Sequence, residues 1–202
     1  MRVFVLSTGR CGSTTFERAC SHITNYTAGH ETRRRFLFER RFEYADQHIE
    51  SDNRLSWFLG GLARRFDDDD TFYVHLTRER NLVARSYARR FDGRFHSSIM
   101  RAFGQGIVVR KRWDPSQHVK VARFYVDTVT DNIREFLRHR THTMDFPLER
   151  AKELFPVFWE RIGAEGDLEA AMAEFDVRHN AERRPGASGR PPETVAGPAD
   201  LG

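Results

Sequence analysis

The chain predicts an α/β fold in three layers, a mainly parallel sheet flanked by helices, and three observations carry that expectation. Residues 2–7 (RVFVLS) and 71–77 (TFYVHLT) are short apolar, β-branched runs of the kind that form strands buried on both faces. Each is followed by a stretch whose apolar residues recur at helical spacing. Strands that alternate with helices pair in parallel, because each helix carries the chain back across the sheet.

The elements follow in order. The first run ends at Thr8-Gly9, and residues 13–23 place Phe16, Ala19, Cys20 and Ile23 on one helical face. The N-terminus therefore reads as a first strand and is too soon interrupted for a signal peptide. Residues 24–53 are polar and match no period; they include the Arg-rich stretch 33–41 (RRRFLFERR). Residues 54–66 read as a helix with Leu55, Phe58, Leu59 and Leu62, ended by an exposed acidic turn at Asp67–Asp70. Residues 80–91 read as a helix with Val83, Ala84 and Tyr87 inward. Residues 92–117, with several Gly and Pro115, read as a mobile segment or lid. Residues 118–138 form a long helix with a stripe from Ala122 to Leu137. Pro147 and Pro156 are each expected to start a helix, over 147–154 and up to Gly163, and Asp167 to cap a last one through Phe175. Residues 1–180 thus form one domain, and 181–202, rich in Pro, Gly, Ala and Glu, are expected to be disordered.

The charge balance is mild: 33 Lys and Arg against 29 Asp and Glu give +4. That suits an anionic ligand and falls short of a dedicated nucleic-acid surface. No run approaches a membrane span. Two cysteines, Cys11 and Cys20, in a loop and its following helix do not suggest a structural disulfide, so a cytoplasmic protein is expected.

The chemistry concentrates at Ser7-Thr8-Gly9-Arg10-Cys11-Gly12-Ser13-Thr14. Glycines let backbone N–H groups turn onto an anion, and the following helix adds its own N–H groups and its positive dipole end. Arg10 supplies a charge, and Ser13 and Thr14 supply hydroxyls. The same residues also fit a plain tight turn whose serine caps a helix. A Walker A motif places Lys before Ser/Thr; here Gly12 holds that position, and no apolar strand ending in Asp suits a Mg²⁺-holding carboxylate, which disfavours ATP or GTP hydrolysis.

The run Thr8 to Thr14 resembles the 5′-phosphosulfate loop of PAPS-dependent sulfotransferases (PAPS, 3′-phosphoadenosine 5′-phosphosulfate), and of the small bacterial type more than the animal cytosolic type. In that family an Arg at a strand end and a Ser on the next helix grip the 3′-phosphate; Arg78 and Ser86 stand at that spacing. The resemblance covers residues 1–91 and, more loosely, 148–180. It implies a P-loop-like fold, PAPS as co-substrate with PAP as product, no metal requirement, and a small-molecule or glycan acceptor bearing a hydroxyl or amine. It further implies that Thr8, Gly9, Arg10, Cys11, Gly12, Ser13, Thr14, Arg78 and Ser86 hold the nucleotide, with Arg10, which is Lys in many members, stabilising the leaving group. For the base, Glu31 is favoured over its neighbour His30, since several branches carry a Glu at about that distance past the loop cation. His75 reads as a packed residue. Arg33, Arg34 and Arg35 read first as a solvated charged face and second as a grip on an anionic acceptor. The alternatives are a P-loop nucleotide or nucleoside kinase and a non-catalytic PAP-binding protein.

Overall fold

The computed structural model of the chain describes residues 1–66, 69–91, 97–110 and 112–177. The proposed tail 181–202 lies outside them, as do 92–96 and Lys111 of the proposed mobile segment.

Five parallel strands form one sheet in the order β2-β3-β1-β4-β5: β1 Arg2–Leu6, β2 Thr27–His30, β3 His48–Ser51, β4 Thr71–Thr77 and β5 Thr143–Pro147. β1 is central, paired with β3 along one edge and β4 along the other. From β1 the chain builds the β2–β3 side first and then crosses to β4 and β5. The strand order therefore reverses beside the C-terminal end of β1, where open α/β sheets leave a crevice for ligands.

Helices cover both faces. On one, α1 (Ser13–Cys20), α6 (Ala151–Arg161) and α7 (Leu168–Ala173) bring Phe16, Phe155 and Phe158 onto Phe146 and Phe72. On the other lie α2 (Leu59–Arg65), α3 (Arg80–Ala88) and α5 (His118–Leu137). There Phe4 meets Tyr44, Phe66 and Tyr73, and Phe136 of α5 closes edge-on against Tyr73. The three-layer α/β arrangement is as expected. Among the described residues no helix is long and apolar enough to cross a membrane.

Several boundaries differ. The region 24–53 holds two strands, and β5 lies where only a helix start at Pro147 was expected. Pro147 instead closes β5, and α6 is a single helix with Pro156 inside it, which costs one backbone hydrogen bond. The expected helix 54–66 is broken at Phe58: a 3₁₀ turn, Asn53–Trp57, capped by the Asp52 carboxylate at Arg54 N, precedes α2. Within the proposed lid, α4 (Ser98–Ala102) continues into a π-helical turn, Phe103–Ile107.

β3 and the residue after it carry two fully buried carboxylates. Glu50 accepts from Thr32 N and Oγ1 at 2.7 and 2.6 Å and pairs with His48 Nε2 at 3.0 Å. Asp52, just past the strand, pairs with the equally buried Arg41, which also donates to Tyr44 Oη at 3.0 Å. Removing one partner of such a pair leaves the other charge uncompensated. Asp52→Asn is therefore expected to lower stability by about 3–5 kcal/mol in urea unfolding. Asp127→Asn, which loosens an exposed pair with Arg80, should change it little.

Candidate functional site

The loop after β1 leaves the sheet through left-handed backbone at Gly9 (φ 80°), Arg10 (φ 60°) and Gly12 (φ 89°). Such backbone brings successive N–H groups to one concave side. Gly12 is the N-cap residue of α1, no side chain caps that helix, and its first turn holds no acidic residue. Its N-terminal N–H groups and dipole thus face the crevice without a local anion. A Cβ on Gly9 would lie 2.4 Å from Tyr87 Oη and 2.9 Å from Asn53 Nδ2, so the position takes glycine for space as well as for φ.

The loop is held from several sides. Gly9 N donates to Ser7 Oγ (3.1 Å), and Ser56 Oγ donates to Ser7 O (3.0 Å). Tyr87 Oη of α3 and Tyr125 Oη of α5 both donate to the Thr8 carbonyl, at 2.6 and 2.8 Å. Cys11 is buried, its Sγ bonded to Gly9 O (3.3 Å), and burial pushes its thiol up to about 11. It is a packing residue of the loop and no nucleophile.

The other predicted residues gather around this loop. Arg10 Nε donates to Ser86 Oγ at 3.1 Å, joining the loop to α3. Arg78 is exposed at the C-terminal end of β4 and precedes Glu79, whose carboxylate caps α3. Ser13 Oγ lies 3.1 Å from His30 Nε2, while Ser51 Oγ donates to Ser13 O. Glu31, next along, has left-handed backbone (φ 53°), and its carboxylate is held by Arg34 at 2.9 Å and Arg54 at 2.5 Å. Burial pushes Glu31 up, but Arg34 and Arg54 together outweigh it and keep its carboxyl below the ordinary range. The two neighbours therefore diverge: His30 turns to the loop and Glu31 to the arginines. His75 is packed inside β4, with Nδ1 3.3 Å from Asp145.

β3, a short polar strand beside β1, ends at Ser51 and is followed by Asp52. Both Asp52 oxygens are already taken, Oδ2 by Arg41 and Oδ1 by Arg54 N. No sequence pattern marks Asn53, Arg54, Tyr87 and Tyr125 as neighbours of the loop, where the structure places them. For the tyrosines the one signal is that a phenol buried on a core stripe must find a partner for its hydroxyl.

No family model matches the chain, and no curated protein or solved structure matches it.

Gly9 and Gly12 both need left-handed backbone, but their neighbours differ. A Cβ at Gly12 would meet only the tip of Leu148, at 2.8 Å, which can rotate, whereas Tyr87 is fixed by its bond to Thr8. Gly9→Ala should therefore destabilise clearly more than Gly12→Ala, which should cost about the 1–2 kcal/mol of a strained left-handed residue. Thermal melts of the two variants decide; equal losses would place the strain in φ alone.

Proposed function

We propose that the protein binds a 3′-phosphorylated adenine nucleotide in the crevice beyond β1 and transfers the sulfuryl group of PAPS to a hydroxyl or amine of a small-molecule or glycan acceptor, releasing PAP. The observation that carries this reading is the bond between Arg10 and Ser86. The resemblance assigns these residues to the 5′- and 3′-phosphate ends of one ligand. They come from distant parts of the sequence and meet at one strand-end crevice, with Arg78 at its rim.

In this reading the N–H groups of residues 10–14 and the start of α1 cradle the 5′-phosphosulfate. The acceptor oxygen or nitrogen attacks sulfur in line with the bridging oxygen. The new bond to sulfur forms as the bond from sulfur to the 5′-phosphate oxygen breaks, and the charge on the departing PAP falls to Arg10 and the loop. The acceptor proton passes to a base. Geometry supports His30 for that role over Glu31, because His30 reaches the loop at Ser13 while two arginines occupy the Glu31 carboxylate. Glu31 then positions Arg34 and Arg54. The kinase alternative gains no support at Asp52, whose carboxylate is satisfied by protein groups.

PAP is expected to bind without Mg²⁺ and more tightly than AMP. Arg78→Ala removes a charge-assisted contact worth about 1.5–3 kcal/mol, so it should weaken PAP roughly ten- to a hundred-fold and AMP hardly at all. Calorimetric titration with PAP, AMP and Mg-ATP tests this. Preference for Mg-ATP would favour a kinase, and PAP binding with no release of PAP from PAPS under any acceptor would favour a non-catalytic binder.

Single-turnover rates separate the two bases. Loss of a general base costs about 10²–10⁴-fold, the drop expected for His30→Ala, with Glu31→Gln losing much less. Because Glu31 is held below the ordinary carboxylate range, it stays ionised through neutrality, and a rate governed by it would be flat there. A flat profile together with collapse of Glu31→Gln would return the role to Glu31.

A further inference from the structure

The Thr8 carbonyl lies where β1 has ended and the loop has begun to reverse, inside the molecule. It accepts two hydrogen bonds from two buried phenols, Tyr87 and Tyr125, which stand on different helices and are distant in sequence. The N–H on the far side of the same peptide, that of Gly9, is taken by Ser7 Oγ. The 8–9 peptide plane is thus fastened at both ends. Turning it over would swing the Thr8 carbonyl toward the N–H groups of residues 10–14, where an acceptor oxygen would oppose an anion. It would also take from two buried hydroxyls the carbonyl acceptor they share.

We infer that Tyr87 and Tyr125 are positioning residues which lock the Thr8 carbonyl away from the anion cradle and so hold the loop ready for a phosphate or sulfate group. The inference rests on the nucleotide-binding reading above for its ligand, though not for its geometry. A carbonyl oxygen has two lone pairs, and one donor suffices to keep a buried carbonyl satisfied. Each tyrosine therefore covers part of the loss of the other, and only removal of both frees the plane. The contribution should show as synergy, which two independent packing residues would not produce.

The test compares Tyr87→Phe, Tyr125→Phe and the double variant with Ile133→Val, a buried change further along α5, away from the loop. PAP and inorganic pyrophosphate are titrated calorimetrically without Mg²⁺, and amide exchange of residues 9–14 is followed with no ligand added. Each single variant loses one neutral hydrogen bond, so PAP should weaken about two- to ten-fold. The double variant should lose more than the product of the singles, pyrophosphate should follow the same order, and loop amides should exchange faster in that order. Ile133→Val should leave affinity and loop exchange unchanged at a similar fall in melting temperature. The inference is overturned if the double variant merely multiplies the single effects, or if its affinity and loop exchange match Ile133→Val. If the double variant does not fold, the singles still decide, because a wild-type exchange rate at residues 9–14 in both would remove the clamp. Wild-type protein that binds neither PAP nor pyrophosphate would sink the nucleotide reading, and the exchange comparison would still decide the clamp.

Discussion

β1 is hydrogen-bonded along both edges and buried on both faces, and nearly everything about the site depends on how the chain leaves it. A central strand of a parallel sheet cannot drift outward at its end. It must turn at once, within a few residues, to start a helix that returns along one face. Here the turn is made with left-handed backbone at Gly9, Arg10 and Gly12. That conformation aims N–H groups into the crevice, and it brings the N-terminus of α1, Arg10 and Ser13 to the same spot. The non-glycine Arg10 in this conformation is the kind of strain that packed surroundings impose and functional loops retain.

The surroundings also decide which charges are available. The carboxylates nearest the crevice on the β2–β3 side are each engaged: Glu50 by Thr32 and His48, Asp52 by Arg41, and Glu31 by Arg34 and Arg54. Burying these groups without partners would be costly, and the pairing removes them as free acceptors. What faces the loop from that side is an imidazole, His30. From the other side come Ser86, bonded to Arg10, and the exposed Arg78. Glu149 also stands on that side, its carboxylate taken by Glu79 N at 2.8 Å, so the groups that face the loop are mainly donors and cations, which suits an anionic ligand. Two adjoining arginines, Arg34 and Arg54, hold the Glu31 carboxylate.

Legibility followed burial. β1 and β4 declare themselves because strands buried on both faces need continuous apolar runs, and α1, α3 and α5 because each shows one apolar stripe. β2 (TAGH) and β3 (HIES) are four residues each, and three of those in β3 are polar or titratable. β2 is mostly half-exposed, and the buried polar residues of β3 are satisfied by hydrogen bonds to residues elsewhere, so no local pattern marks either strand. β5 (TMDFP) sits at the sheet edge with Asp145 pointing out and ends in the proline that suggested a helix.

By itself the sequence determined the α/β class, the glycine loop after the first strand, and the types of residue around it. Spacing and side-chain periodicity act along the chain and need no partner. Only the tertiary structure decided that Arg10 meets Ser86, that His30 and not Glu31 turns to Ser13, and that Tyr87 and Tyr125 close on one carbonyl. Those contacts join residues far apart in the chain. Which of two adjacent titratable groups faces a site depends on a strand register and on arginines that no local pattern assigns to them.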